Sequence, residues 1–257
     1  DRPYQTDYRN SVWNCGILPV YRQQLYSVYG EYKNTAREFF ATVNLTHNRE
    51  WYNRIYEQRI ENGQVQRVSL PLSNHGSGYT VKSTLSKGFY ELGLKTSFLV
   101  LLNISKAEQI SGGQRLPYQY RLMRLEPKVI WTPNRHWETS YQTDIRYGGN
   151  KIGERTRLAP LWNVTQQVQL SYIFSPIEAS LSVDHYHNDV NEDQSVNAVF
   201  ADFSVSWKSG RWQITTTATN LFDKRTYAYT QYASLESYTS WVRIRPREFL
   251  VAIRYQL

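Results

Sequence analysis

The sequence predicts an all-β fold: an antiparallel transmembrane β-barrel segment of about eleven strands, with short turns at one end and long loops at the other. Three observations predict it. Apolar and polar residues alternate with a period of two from end to end, the pattern of a sheet with one wet face. The breaks between alternating runs come in two sizes, and the sizes take turns along the chain. Finally, 21 Tyr and 8 Trp among 257 residues gather near the ends of the runs, where side chains with an apolar body and a polar tip suit a lipid–water boundary.

The alternation is clearest in the second half. Val164, Val168, Leu170, Tyr172 and Phe174 interleave with Thr165, Gln167, Gln169 and Ser171. Beyond Ser175-Pro176, Ile177, Ala179, Leu181 and Val183 interleave with Glu178, Ser180, Ser182 and Asp184. Val199, Ala201, Phe203, Val205 and Trp207 continue the pattern, and Phe249, Val251, Ile253 and Tyr255 end it. Tight turns read at Asn34-Thr35, Lys87-Gly88, Pro133-Asn134, Ser175-Pro176 and Lys208-Ser-Gly210, all residue types that suit turns. Longer polar connections read at about 53–77, 105–115, 149–160, 188–196 and 220–239. These breaks define strands over 20–33, 36–52, 77–86, 88–104, 116–132, 135–148, 161–174, 177–188, 196–207, 211–219 and 240–257. Short turns on one side and long loops on the other is an outer-membrane layout. A soluble sandwich brings turn signals every 8–12 residues or so. Aromatics expected in interfacial girdles are Tyr26, Tyr29, Tyr32, Trp131, Trp137, Tyr172, Phe174, Trp207 and Trp212.

Composition narrows the classes. An aromatic content of 15% excludes disorder, and 13 Gly, 9 Pro and one Cys exclude collagen-like and disulfide-framework chains. The longest apolar run, Phe98-Leu-Val-Leu-Leu102, is far short of the roughly 20 residues of a spanning helix, whereas a spanning strand needs only about 9–11. The start carries no initiator Met, apolar leader core or small-residue cleavage site, so no signal peptide is expected within residues 1–257. A net charge of +8 favours anionic partners.

No catalytic signature is present, and neither an enzymatic activity nor a cofactor is expected. His185 and His187 share a face of one strand, but no third metal ligand accompanies them; His47, His75 and His136 are scattered. Cys15 has no partner residues for nucleophilic chemistry. Asn44, Asn103 and Asn163 head Asn-x-Ser/Thr matches that fall inside strands. Arg115, Arg121 and Arg124 lie on one strand, Lys151, Arg155 and Arg157 on one loop, and Arg243, Arg245 and Arg247 on the last strand. On a barrel wall these meet lipopolysaccharide phosphates or line the lumen; nucleic acid is not the expected partner.

The end of the chain is more specific. Asn220-Leu-Phe-Asp-Lys-Arg-Thr-Tyr227, a polar loop, and then Arg245-Pro-Arg-Glu-Phe-Leu-Val-Ala-Ile-Arg-Tyr-Gln-Leu257 resemble the closing hairpin of TonB-dependent outer-membrane transporters, most of all their Bacteroidota members. Asn14-Cys-Gly-Ile-Leu-Pro19 is similar to that family's Asn-Pro-x-Leu-x-Pro approach to a mid-barrel strand. The resemblance implies that Phe249, Val251, Ile253, Tyr255 and Leu257 carry the barrel-assembly signal, with Leu257 where the family usually ends in an aromatic residue. It also implies import of a nutrient (siderophore, cobalamin, glycan or peptide) across the outer membrane, with lipid and lipopolysaccharide around the wall. The energy would come from a TonB-type coupler acting through a plug and N-terminal barrel half that lie outside this sequence. If Leu257 ends in the periplasm, strand parity puts residues 1–19 and the long loops outside the cell, and the tight turns inside. Eleven strands are half of the 22 in plugged transporters. Gln167, Gln169, Glu178, Ser180, Ser182 and Asp184 are then expected to face the lumen.

Two alternatives compete. An autonomous 12-stranded pore or lipid-acting enzyme needs one more strand, for which residues 4–13 are the only candidate. A soluble aromatic-rich sandwich, binding carbohydrate or protein, needs the rows Val164–Phe174 and Val199–Trp207 packed against one another.

Overall fold

The computed structural model describes residues 4–5, 10–14, 16–61, 64–153, 156–157, 159–232 and 237–256. The alternating runs become one large sheet. Its eleven long strands are β1 Tyr21–Asn34, β2 Phe39–Tyr52, β3 Asn74–Phe89, β4 Leu94–Ser111, β5 Gln114–Asn134, β6 Trp137–Ile152, β7 Leu161–Phe174, β8 Ile177–Asp189, β9 Ser195–Ser209, β10 Trp212–Thr219 and β11 Glu248–Tyr255. Each pairs antiparallel with the long strand before it. β1 and β11 each have a long strand on one side only, so the sheet is open at both edges.

Among the described residues no second layer extends across the whole of this sheet. The molecule exposes 17562 Å². A compact globular protein of 30.3 kDa exposes about 11,800 Å². Among the described residues, the buried apolar side chains are only Ile55, Ile110, Leu161, Ala198, Ala201, Ala218 and Ala228. The large apolar side chains sit on the surface.

Tight turns close one end of the sheet. Thr35–Arg37 is a single 3-10 turn in which the Asn34 side chain accepts from the Arg37 amide at 3.0 Å and Glu38 takes a left-handed conformation. The turns between β5 and β6, β7 and β8, and β9 and β10 also fall where the sequence punctuates them. The second turn does not. Lys87 and Gly88 lie inside β3, paired with Thr96 and Lys95, and the chain reverses through Tyr90–Leu92 and Gly93. Gly93 sits at φ 60°, and a Cβ there would collide with the Thr132 carbonyl oxygen. The turn forms where glycine permits it, not at the earlier Lys-Gly pair.

The opposite, loop end holds three further corrections. The connection expected at 105–115 shrinks to Gly112-Gly113, both at positive φ, because β4 and β5 stay paired as far as Ser111 and Gln114. Polar residues there read as loop, although their backbones remain in the ladder. The 53–77 connection folds into a hairpin, Ile55–Glu61 with Gln64–Leu70. The strand expected over 240–257 is two strands. Ser237–Arg243 pairs with Thr226–Tyr232 in a separate hairpin, and only Glu248–Tyr255 joins the sheet. Pro246 lacks an N–H, and it restricts the residue before it, so it breaks the ladder between them. Arg243 therefore ends the hairpin, while Arg245 and Arg247 lie in the link. Near the start, Asn10–Trp13 runs parallel to Gln64–Leu70 and meets neither β1 nor β11.

Candidate functional site

The cross-strand register separates the sheet into two chemically different faces. One row of directly paired residues runs Phe89, Leu94, Trp131, Thr139, Leu170, Leu181, Phe203, Ala218 and Phe249 across nine strands. Paired residues face the same side, so these residues share one face, and Thr139 is its only polar member. The neighbouring row on the other face includes Ser140, Gln169, Ser182 and Asp202. The row is also staggered. Phe89 ends β3 at its turn, whereas Phe249 is six residues short of Tyr255. Six residues are about 20 Å of rise over eight inter-strand steps of about 4.8 Å, a strand tilt of about 30°. Tilt coupled to stagger is the geometry a sheet needs in order to curl toward a barrel.

Two aromatic belts bound the apolar face. Near the turns lie Tyr32 and Phe39 (ring centroids 5.9 Å apart), Trp137 and Tyr172 (4.6 Å), and Trp212 and Tyr255 (4.8 Å). Toward the loops, His47 stacks on Tyr79 at 4.3 Å and on Tyr26 at 6.2 Å, and Tyr147 meets Trp162 at 4.8 Å. Tyr79 and Phe89, Trp137 and Tyr147, and Trp162 and Tyr172 are each separated by ten positions. Ten residues span about 33 Å along a strand, or about 29 Å of height at a tilt of about 30°. Tyr26 and Tyr32, near neighbours in sequence, thus belong to opposite belts. Tyr29 belongs to neither, because its partner Asn44 is on the polar face.

The polar face is laced with side-chain hydrogen bonds. Ser27 donates to Asn44 at 2.9 Å, Asn103 to Thr80 at 2.8 Å, and Gln213 and Thr215 both to Ser206 at 3.1 Å. Gln167, Gln169, Glu178, Ser180, Ser182 and Asp184 all lie on this face, with Gln167 paired to Asp184, Gln169 to Ser182, and Ser180 to Ser171. Lys208 reaches Glu178 at 3.3 Å. Phe249, Val251, Ile253 and Tyr255 lie together on the apolar face; Leu257 is outside the described residues.

Both loop-end hairpins fold over the polar face, and each roofs a cavity. The hairpin within residues 226–243 docks through Asn188 Nδ2, which donates to the Ala228 carbonyl at 3.2 Å, and through an edge-on contact of Tyr186 with Tyr227 at 5.1 Å. Beneath it is a cavity of about 510 Å³ lined by Tyr120, Arg124, Asp144, Arg146, Tyr227 and Tyr229. Arg124 grips Asp144 with two bonds of 3.1 Å, and Arg146 adds three, the shortest of 2.6 Å. Sequence proximity hid this trio, because it joins adjacent strands. Arg121, by contrast, pairs with Ile104 and points from the apolar face, so Arg115, Arg121 and Arg124 do not form one patch.

The hairpin Ile55–Glu61 with Gln64–Leu70 roofs a second cavity of about 480 Å³. Arg54 and Arg67 flank the Tyr56 ring at 5.2 and 5.7 Å. Tyr52 donates to Glu50 at 2.9 Å, and burial, then that hydrogen bond, pushes its phenol well above the ordinary value. Burial likewise raises the Tyr118 phenol, opposed by Arg67. Tyrosines held neutral beside guanidinium groups suit a ligand rich in hydroxyl or anionic oxygen.

The remaining candidates are local. His187 accepts or donates to Asn197 at 2.8 Å and approaches Asp189 at 3.5 Å, and His136 contacts the Ile173 carbonyl at 2.9 Å. Among the described residues no cluster of three His, Cys, Asp or Glu could hold a metal ion. Cys15 and Arg155 are outside the described residues. Asn44, Asn103 and Asn163 sit within β2, β4 and β7.

The Asn220 stretch is a structural clamp. Asn220 takes a left-handed conformation and is 6% exposed. Its Nδ2 donates to the carbonyls of Lys224 and Arg245, both at 2.8 Å, and its Oδ1 accepts from the Lys224 amide at 2.9 Å. Asp223 accepts from the Arg247 amide at 2.9 Å, and Arg225 and Arg247 hold its carboxyl below the usual range. The end of β10 is thereby tied to the approach to β11. Compared with protein-family models, curated proteins and solved structures, the chain matches none.

Proposed function

We propose that this chain forms half of the barrel wall of a TonB-dependent outer-membrane transporter that imports a polar, oxygen-rich nutrient. One observation carries the reading: an exposed apolar face, continuous across the sheet, bounded by two aromatic belts about 29 Å apart, which suits the apolar band of a spanning barrel. Hydrocarbon on that face removes the need for a second protein layer. The opposite face, hydrogen-bonded and roofed by two hairpins, then lines the lumen, with its Arg–Tyr cavities as the ligand-contacting surface. The clamp at Asn220 gives a physical role to the residues that resemble the family's closing hairpin.

The competing readings fit less well. Val164–Phe174 and Val199–Trp207 share one face of one sheet, with β8 between them, so they cannot pack face to face as a sandwich requires. An autonomous 12-stranded barrel would need residues 4–13 between β1 and β11, but Asn10–Trp13 lies beside Gln64–Leu70.

The test is topological. In intact cells expressing the full-length protein with Cys15→Ser, Asn191→Cys and Ser209→Cys are introduced singly and probed with a membrane-impermeant thiol reagent. Labelling at 191 but not at 209 supports a wall with its long loops outside. Equal labelling, in a protein soluble without detergent, refutes it.

A further inference from the structure

Midway between the two aromatic belts, the polar face carries charge of opposite sign at its two sides. Gln142 stands five positions from Trp137 and from Tyr147, and Gln167 five from Trp162 and from Tyr172. The directly paired row through them is Lys128, Gln142, Gln167 and Asp184, on β5 to β8. Three inter-strand steps, about 14 Å, separate the cation from the carboxylate. Each charge has a like neighbour on the diagonal. Lys128 pairs with Ser97 and Lys95 with Ile130, which sets the two lysines about 7–8 Å apart. Asp202, paired with Ser182, stands in the same relation to Asp184, which is paired with Phe200.

Neither end of this strip is compensated. Among the described residues none of these four charges enters an ion pair. Lys95 and Lys128 line a cavity of about 450 Å³, in which Glu38 lies over Gly88. Glu126, on the same strand face as Lys128, pairs with Arg124. Asp202 accepts from the Asn220 amide at 2.8 Å, whereas Asp184 Oδ1 has no hydrogen-bond partner. Ionisable side chains at mid-membrane depth that face an interior mark the path of a solute. A simple anion meets the lysines but is repelled by the aspartates, and a neutral sugar leaves both pairs uncompensated. A zwitterion with its charges about 14 Å apart satisfies both ends. Between them, the side-chain amides of Gln142 and Gln167 offer donors and acceptors, as peptide groups require.

We propose that this strip binds an extended oligopeptide with free termini, its α-ammonium at Asp184 and Asp202 and its α-carboxylate at Lys128 and Lys95. The inference rests on the transport reading above and names the class of nutrient. An extended chain covers about 3.3–3.6 Å per residue, so about four residues span the strip.

The full-length protein, purified in a neutral detergent, is dialysed to equilibrium against radiolabelled tetraalanine, N-acetyl-tetraalanine or tetraalanine amide. Each cap removes one terminal charge and should weaken binding to wild type about tenfold. Asp184→Asn/Asp202→Asn should bind tetraalanine about tenfold more weakly and no longer distinguish it from the acetylated peptide, while still rejecting the amide. Lys95→Gln/Lys128→Gln should show the converse. Lys82→Gln/Glu178→Gln alters polar-face charges outside the strip and should match wild type. Migration of unheated samples on gels reports whether each variant folds, and the wild-type series needs no variant. A wild type that does not distinguish tetraalanine from its capped forms overturns the strip, as do variants that weaken all three peptides equally. Should the strip fail, labelling at 191 but not at 209 leaves the wall standing, whereas equal labelling in a protein soluble without detergent overturns both.

Discussion

Replacing Asn220 by alanine is the most direct perturbation of the link between β10 and β11. The side chain makes three hydrogen bonds in a nearly buried setting, two donated and one accepted. Each contributes about 1 kcal/mol net, and alanine leaves two carbonyls and one amide without their partner. Asn220 also sits at φ 51°, where asparagine is tolerated and alanine costs about 1 kcal/mol more. The expected loss is therefore about 4 kcal/mol, a large share of the 5–15 kcal/mol typical of a folded domain. Asn220→Gly loses the same bonds without the backbone strain, about 3 kcal/mol. Urea unfolding of the full-length protein in detergent, followed by tryptophan fluorescence and by migration of unheated samples on gels, measures both. If both variants lie within about 0.5 kcal/mol of wild type, the clamp does not hold the closing strand and the argument fails.

Three further predictions follow from the faces and turns. Leu181→Arg should destabilise membrane-embedded protein by about 2–4 kcal/mol and Ser182→Arg by much less, since the neighbours face opposite sides; equal losses in urea unfolding would contradict the face assignment. Gly93→Ala should cost more than about 2 kcal/mol, because strain and a collision with the Thr132 carbonyl combine. Gly112→Ala, with open space around its Cβ, should cost only about 1 kcal/mol by the same assay. The Asp223 carboxyl is held below its unfolded value by Arg225 and Arg247, so its stabilising contribution is present above the unfolded pKa and is lost as pH falls through the folded one. Wild type should therefore lose stability relative to Asp223→Asn as pH drops through the carboxylate range. A pH-independent difference between the two unfolding midpoints would exclude this role.

Much of the sheet was legible because its signal is local. Period-two alternation needs only the strand itself, and it located all eleven long strands, with the last one too long. The two faces were legible for the same reason in β7 and β8, whose polar positions Gln167 to Asp184 share one side. What the sequence concealed depends on partners. Lys87-Gly88 has turn chemistry, yet β3 continues because β2 and β4 both pair with it there. Residues 105–115 have loop composition, yet a partner strand keeps them extended. Tyr26, Tyr29 and Tyr32 read as one cluster, and only the cross-strand register sends one to each belt and one to the polar face. The Arg124–Asp144–Arg146 trio is a transverse feature, because Arg124 reaches Asp144 from the neighbouring strand, twenty positions away in sequence.

The edges carry the last step. β1 and β11 are the exposed margins of the sheet, with Phe249 70% and Leu250 65% exposed. Unpaired backbone groups at such margins cost several kcal/mol each in hydrocarbon. In the proposed barrel the two margins cannot satisfy one another in an antiparallel ladder: with an odd number of strands, β1 and β11 run in the same direction, so closure would take an odd number of further strands between them. At a tilt of about 30°, one more strand would make a ring about 21 Å across, and eleven more a ring about 39 Å across. Two hairpins stand on the polar face, each occupying a layer about 10 Å deep, and each roofs a cavity. The smaller ring leaves no space between two such layers for a ligand. The larger ring leaves about 19 Å, room for a ligand between them. The contents of the polar face therefore favour half of a 22-stranded wall over most of a 12-stranded one.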